Sequence, residues 1–322
     1  MRDAAARHRI LIGTAVEPSY LAEPEYAKIL SDEFSMLEPE NNLKFGQVHP
    51  RPDTDPNPYD FSGPDALVAF AQAHKMKMRG HTLVWHNQQP RWVTGGGLTP
   101  DQLNKALQSH IKTVVGRYAG KIFAWDVVNE AFNDDGSMRH TVWYDRPGIG
   151  FADQGAAYIE QALRWARATD RRAKLFVNDY GAETIGKKSD AIYAMAKDFR
   201  KRRVPLDGIG FQLHCDLSFD RPEALDSFKA NLQRFADLGL DIHITEMDVR
   251  LRNNSPESLD QQAKLYGDVV KICGGQPRCK VIQIWGFTDK HSWLRNGHGL
   301  LWDENYQKKP AYDAFLRPLL GK

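Results

Sequence analysis

The sequence lacks the features that direct a protein to a membrane or to nucleic acid. No stretch approaches the roughly 18 consecutive apolar residues of a transmembrane helix, which excludes a membrane-spanning segment. An excess of one charge is also missing, because 43 Lys and Arg residues face 41 Asp and Glu residues, for a formal net charge of +2. This balance gives no electrostatic attraction to nucleic acid or to an anionic membrane. We therefore expect neither as a partner.

Cysteine is scarce as well, with three residues in the chain. Three cysteines are too few for a zinc cluster. Cys273 and Cys279 close a short loop, so they either form a disulfide, which indicates an oxidising compartment, or remain two reduced thiols. Cys215 has no partner in the sequence and is expected to be a buried small residue.

Segment 1–9 is charged and poor in apolar residues, so it is not the apolar centre of a secretory signal. Two localisations stay open: a secreted protein whose signal is absent from this sequence, which we expect, or a cytoplasmic protein. We also expect a monomer.

The pattern along the chain predicts short buried strands alternating with amphipathic helices. Apolar side chains repeat at helical spacing in 64–74, 156–168 and 222–238. Thr99 followed by Pro100 is typical of a helix start. The predicted strands are 11–16, 34–38, 78–84, 123–129, 174–178, 208–213, 241–245 and 281–285.

Eight strands alternating with helices in 322 residues favour one (β/α)₈ barrel domain that covers 1–322. The alternative is a doubly wound open sheet, for which the early segment 13–15 lacks the glycine-rich phosphate turn. In a barrel, functional sites lie where the strands end. Polar and aromatic side chains follow seven of the eight predicted strands, so we expect them to meet at one mouth.

Two glutamates stand at these strand ends. Glu130 closes the fourth strand and Glu246 the seventh, so a barrel brings them across one mouth. Two opposed carboxylates are what glycosidic bond cleavage requires, one as the proton donor and the other acting on the anomeric carbon. His214, on the sixth strand, is expected to hydrogen bond Glu246 and keep it ionised.

Tryptophans and histidines surround the same strand ends. Flat aromatic walls suit the apolar faces of sugars, and we expect Trp85, Trp285 and Trp293 at the mouth, together with Trp302, whereas Trp125 lies within a strand and should be core. His81, His86 and His214 are alternative metal ligands. The sequence contains no His-x-His pair, so we expect hydrogen-bonding roles and no metal.

Five segments, read together, resemble glycoside hydrolase family 10, the endo-β-1,4-xylanases. They are Gly-His-Thr-Leu-Val-Trp-His at 80–86, Trp-Asp-Val-Val-Asn-Glu at 125–130, Gln-Leu-His at 212–214, Ile-Thr-Glu-Met-Asp at 244–248 and Trp-Gly-Phe-Thr-Asp-Lys-His-Ser-Trp at 285–293. The resemblance implies a retaining endo-xylanase on a (β/α)₈ barrel without a cofactor, acting on xylan and xylo-oligosaccharides. It also implies a disulfide between Cys273 and Cys279.

The same resemblance assigns roles to individual residues. Glu130 would be the acid/base and Glu246 the nucleophile, oriented by Gln212 and His214, with Asp248 behind His214. His86 and Asp126 would lie behind the residues that touch the sugar. The implied substrate contacts are Glu40, Asn41, Lys44, His81, Trp85, Gln88, Asn129, Tyr180, Gln212, His214, Trp285 and Trp293.

Three positions depart from the family pattern: Leu43, Gly181 and Leu294. The last two leave contacts beyond the catalytic core open. Three rival functions also stay open, namely a barrel glycanase acting on glucan or mannan, a polysaccharide-binding barrel without activity, and a metal-dependent hydrolase. Comparing the reducing ends released from xylan, carboxymethylcellulose and mannan distinguishes the first of these.

Overall fold

The computed structural model describes residues 1–144, 149, 151 and 154–321. Within them the chain alternates between strands and helices. The strands are β1 (Leu11–Val16), β2 (Met36–Pro39), β3 (Lys77–Val84), β4 (Ala124–Asn129), β5 (Lys174–Asp179), β6 (Gly208–Phe211), β7 (His214–Asp216), β8 (Asp241–Arg250) and β9 (Cys279–Ile284). The helices are α1 (Arg2–Arg7), α2 (Pro24–Glu33), α3 (Phe45–Val48), α4 (Ser62–Ala73), α5 (Arg91–Thr94), α6 (Pro100–Arg117), α7 (Ala157–Thr169), α8 (Lys187–Lys201), α9 (Pro222–Asp237), α10 (Pro256–Gly274) and α11 (Pro310–Leu319).

The strands close into a parallel barrel. Each strand from β1 to β5 pairs with the next, β6 pairs with β8, β8 pairs with β9, and β9 pairs with β1. The short β7 pairs only with β8 among the described strands, at the mouth rather than in the barrel wall. The eight remaining strands form the predicted (β/α)₈ barrel, which is confirmed.

The predicted element boundaries lie within a few residues of the observed ones. β1 matches the predicted 11–16, whereas the second strand begins later, at Met36, because Phe34 caps the helix that ends at Glu33. Strand β8 continues well beyond the predicted 241–245, to Arg250. The helix start at Thr99 is confirmed. The Thr99 hydroxyl accepts a hydrogen bond from the backbone amide of Gln102, and the backbone amide of Thr99 donates to the side-chain oxygen of Gln102.

A continuous apolar layer between barrel and helices holds the strands in place. Trp125 is fully buried in it, as expected from its place inside β4. The prediction for Trp302 is wrong: this ring is 1% exposed and packs against Phe34 and Tyr312, because the segment after β9 turns back onto the core. Among the described helices, none combines the length and apolarity needed to cross a bilayer.

The cysteine alternatives are now resolved. Cys273, near the end of α10, forms a disulfide with Cys279, which begins β9. This bond ties the last barrel strand to the helix before it. Cys215 is free and only half-buried, which corrects the expectation of a fully buried residue. Its thiol donates to the backbone carbonyl of Asp248, 3.3 Å away.

Gly80 shows how tightly the layer between the barrel and the helices is packed. A Cβ atom at this position would lie 2.2 Å from the Trp125 ring, so Gly80→Ala should destabilise the protein by about 1–3 kcal/mol through overpacking. Unfolding in denaturant measures the change. Gly274→Ala is the control, because nothing lies within 4 Å of the added methyl group there. Equal stability of the two variants would contradict this account.

Candidate active site

A cavity of about 460 Å³ opens where the barrel strands end. It brings together both glutamates and every residue that the sequence predicted to contact substrate. The lining residues are Glu40, Asn41, Lys44, His81, Trp85, Gln88, Asn129, Glu130, Tyr180, Gln212, His214, Glu246, Trp285 and Trp293. The expected convergence of strand ends on one mouth is therefore observed.

Glu246 is the more deeply buried of the two glutamates. It lies where the pairing of β8 with β9 shifts register, between Ile244 and Met247, and such irregularities re-aim a side chain. One carboxylate oxygen is 3.0 Å from His214 Nε2, and the other accepts a 2.7 Å hydrogen bond from Asn178 Nδ2. The side chain is thus fixed at both oxygens.

The surroundings of Glu246 favour its charged form. Burial alone raises the pKa of a carboxyl group, but the hydrogen bond from His214 and the charges of His81 and His214 outweigh it. The net pKa of Glu246 lies below its usual 4.5. An ionised carboxylate is the form in which a glutamate acts as a nucleophile.

Glu130 occupies a different environment. It follows β4 with a φ of 55°, in the left-handed region that a residue with a side chain rarely adopts. Its carboxyl group accepts hydrogen bonds from neutral donors, 2.8 Å from Trp85 Nε1 and 3.1 Å from Gln212 Nε2. His86 lies 3.6 Å away, and burial lowers the pKa of this histidine.

Three amide side chains link the two glutamates. Asn178 donates to Glu246 and, over 2.9 Å, to Asn129 Oδ1. Gln212 donates to the same Asn129 oxygen over 3.1 Å and to Glu130. The side chain of Gln212 thus bonds Glu130, whereas its contact with Glu246 is made by the backbone, where the Gln212 carbonyl accepts from the Glu246 amide over 3.0 Å.

Behind Glu246, His214 belongs to a second chain of contacts. Its Nδ1 atom is 2.8 Å from Asp248 Oδ2, which also accepts a 2.8 Å hydrogen bond from Trp293 Nε1. Burial alone lowers the pKa of His214, but the carboxylates of Asp248 and Glu246 outweigh it and raise the pKa to about 10. Asp248 thus lies behind His214, in the place that the resemblance implies for it. The Trp293 ring, 49% exposed, stands at the edge of the cavity.

A buried ionic cluster supports the floor of the cavity. Asp126 lies 3.1 Å from His81 Nδ1 and forms a two-pronged ion pair with Arg79. Burial raises the pKa of Asp126, yet Arg79 and His81 bring it below its usual value. Arg79 also lies 3.5 Å from Glu38, whose pKa burial raises well above the ordinary range.

Glu38, His81 and Asp126 place ligand-type atoms within 4.8 Å of one another, the spacing of a metal site. The fit to a metal is poor, because the Arg79 guanidinium already donates to both Asp126 oxygens and supplies the positive charge. We therefore interpret the cluster as a charge network around Arg79 rather than as a metal site.

Polar groups form one wall of the cavity. Lys44 Nζ donates to Asn41 Oδ1 over 2.9 Å and lies 5.0 Å from the centre of the Trp85 ring. Burial lowers the pKa of Lys44. Glu40 is half-buried, and burial together with the charge of Glu17 raises its pKa to about 7. This wall presents hydrogen-bonding groups beside an aromatic face.

Sequence reasoning missed three residues that shape this site. Asn178 ends the predicted fifth strand, 174–178, as the predicted site residues end theirs, and that position was the available signal. Glu38 closes the predicted second strand and carried the same signal, whereas Arg79 carried none, because a charged residue inside a strand is ordinarily expected to face solvent.

A (β/α)₈ barrel whose mouth holds two glutamates among tryptophans, amides and histidines defines the class: the protein is a glycoside hydrolase. Comparison with known proteins narrows the class. The family model described as glycosyl hydrolase family 10 matches residues 1–318. The chain therefore belongs to glycosyl hydrolase family 10.

Individual relatives agree with this membership. The chain is 41% identical to endo-1,4-beta-xylanase B of Thermotoga neapolitana over 99% of its own length and 91% of the relative's. The structure of native xylanase 10B from Thermotoga maritima superimposes with a TM-score of 0.91 at 43% identity, covering 99% of this chain and 97% of that one. Xylanase 10B from Thermotoga petrophila, in complex with xylobiose, gives a TM-score of 0.91 at 42% identity, covering 99% and 96%.

The ion pairs of His214 predict that the stability of the folded protein depends on pH. Because the pKa of His214 is raised from 6.5 to about 10 in the folded chain, the stability this provides is complete below pH 6.5 and is lost as the pH rises through about 10. Asp248→Asn removes one carboxylate, so the imidazole should lose its proton at lower pH, which NMR of the ring measures. The control is exposed Asp226→Asn. An unchanged His214 titration in Asp248→Asn would contradict the assignment.

Proposed function

We propose that this protein is a retaining endo-1,4-β-xylanase, with Glu246 as the nucleophile and Glu130 as the acid/base. The observation that carries the proposal is the unequal setting of two glutamates in one cavity. His214 lowers the pKa of Glu246 and so keeps it charged, and Asn178 donates a hydrogen bond to it, whereas Glu130 accepts hydrogen bonds from the neutral donors Trp85 and Gln212. The relatives named as xylanases support the substrate.

The first half of the reaction breaks the glycosidic bond. A carboxylate oxygen of Glu246 attacks the anomeric carbon, the bond to the leaving sugar oxygen breaks, and Glu130 gives its proton to that oxygen. The resulting ester leaves Glu246 neutral and Glu130 charged. In the second half, water attacks the same carbon, its proton passes to Glu130, and the Glu246 carboxylate is released.

The walls of the cavity suit a chain of sugars. Trp85, Trp285 and Trp293 offer aromatic faces to the apolar sides of the rings, and Lys44 and Asn41 offer hydrogen bonds to the hydroxyl groups. We assign Glu40, Asn41, Lys44, His81, Trp85 and Gln88 to the non-reducing side of the cut. On the leaving side we assign Tyr180.

We further propose that residues 1–322 form one catalytic domain that acts as a monomer on xylan and xylo-oligosaccharides. Secretion is the proposed localisation, and the disulfide between Cys273 and Cys279 supports it, because such bonds persist in oxidising compartments.

Leaving-group chemistry tests the two roles. Glu130→Ala should reduce kcat/KM on xylan by about 10²–10⁴-fold, because the leaving oxygen loses its proton donor. On a dinitrophenyl xylobioside kcat/KM should change little, since that leaving group departs without protonation. Glu246→Ala should abolish both reactions. Exposed Glu304→Ala is the control, and equal loss on both substrates in Glu130→Ala would refute the assigned role.

Product stereochemistry tests the two-step mechanism separately. If the enzyme is retaining, the first anomer formed from xylohexaose should be β, as in the substrate, because two displacements at the anomeric carbon restore its configuration. NMR of the anomeric protons during the first minutes, before mutarotation, measures this. A first-formed α anomer would show that water attacks directly and that Glu246 is not a nucleophile.

A further inference from the structure

The segment after Glu130 forms a turn that places the Arg139 side chain next to Glu130. Phe132 forms an antiparallel bridge with Met138, and the backbone amide of Arg139 donates to the carbonyl of Ala131 over 2.8 Å. This turn brings the half-buried Arg139 side chain beside the backbone of Glu130.

The Arg139 guanidinium donates to three oxygen atoms, two on the segment that begins at Glu130 and one on Tyr180. Its Nε atom is 2.9 Å from the backbone carbonyl of Glu130. Its Nη2 atom is 3.2 Å from the carbonyl of Phe132 and 3.0 Å from the hydroxyl of Tyr180. One planar group thus joins the residue proposed as proton donor to the residue proposed to contact the leaving sugar.

The Glu130 backbone is a place where such a contact matters. Its φ of 55° is a left-handed conformation that a residue with a side chain rarely adopts and that persists only where surrounding contacts hold it. The peptide is held from both sides, since its amide donates to the carbonyl of Asn178 over 2.9 Å and its carbonyl accepts from Arg139. Loss of the Arg139 bond would release one of these two restraints.

Tyr180 is held in a similar way. Its hydroxyl accepts from Arg139, and the ammonium group of buried Lys188 lies 3.6 Å from the centre of its ring. Lys188 is itself fixed by an ion pair with Asp179, with 2.9 Å between Nζ and Oδ1. The ring therefore has little freedom to move away from the cavity.

We propose that Arg139 is a positioning residue that fixes the distance between the proton donor and the leaving-side sugar. This inference rests on the proposed role of Glu130. Proton transfer to the departing oxygen requires the donor and that oxygen to stay aligned, and a displacement of about 1 Å can cost a hundredfold in rate. A rigid guanidinium fork holds several acceptors at once, which a single lysine ammonium on a flexible stem does not reproduce.

The test compares Arg139→Met with wild-type protein on two substrates. On xylohexaose, whose leaving group needs a proton, kcat/KM should fall by about 10–100-fold. On a dinitrophenyl xylobioside, whose leaving group does not, kcat/KM should stay close to the wild-type value. Arg139→Lys should fall between Arg139→Met and wild type on xylohexaose. A purely structural defect would lower both activities together.

Tyr180→Phe provides a matched variant, because it removes only the hydroxyl that Arg139 contacts and leaves the ring. If the two residues act through their shared hydrogen bond, the losses on xylohexaose in the double variant should be smaller than the product of the single losses. If Arg139→Met does not fold, the two substrates are compared with Arg139→Lys and Tyr180→Phe instead.

Equal losses on both substrates, or no loss on xylohexaose, in folded Arg139 variants would overturn the proposal. Failure of the proposed function itself has a different signature, because Glu130→Ala would then show no dependence on the leaving group. The proposed role of Glu130 would then fail before any Arg139 variant is compared.

Discussion

The mouth of this barrel is organised around the buried negative charge of Glu246. A buried carboxylate is costly unless hydrogen bonds and opposite charges compensate it. His214 and Asn178 supply these at the two carboxylate oxygens, and His214 is in turn held by Asp248. Each of these partners comes from a different strand, so the charge is tolerated only while the barrel is closed. The active site therefore depends on the closed barrel for its stability.

The two glutamates differ because their surroundings differ. The charged side chain of His214 contacts Glu246, whereas the indole of Trp85 and the amide of Gln212 donate to the carboxyl group of Glu130. Asn129, Asn178 and Gln212 connect them through neutral side chains, which fix geometry without adding charge. Deeper in the barrel, Arg79 balances Asp126 and so orients His81. Opposite chemical roles can thus arise from the same residue type in one cavity.

Backbone irregularity also contributes to the site. The register of β8 against β9 shifts around Glu246, and Glu130 itself lies in the left-handed region. Such features are sustained only where surrounding contacts hold them, and they concentrate at functional sites. The three bonds from Arg139 to the Glu130 carbonyl, the Phe132 carbonyl and the Tyr180 hydroxyl are contacts of this kind.

The order of buried strands and amphipathic helices determined the barrel, and the strand ends determined which side chains share its mouth, because both follow from the local periodicity of the chain. Glu130, Glu246 and the three tryptophans of the cavity wall could be named on that basis. Only the tertiary structure decided that Gln212 turns to Glu130 while Asn178 serves Glu246, that Trp302 joins the core, and that Arg79 neutralises Asp126. The physical reason is that hydrogen bonds and ion pairs depend on distances of a few tenths of an ångström between residues far apart in sequence, and periodicity carries no information about these.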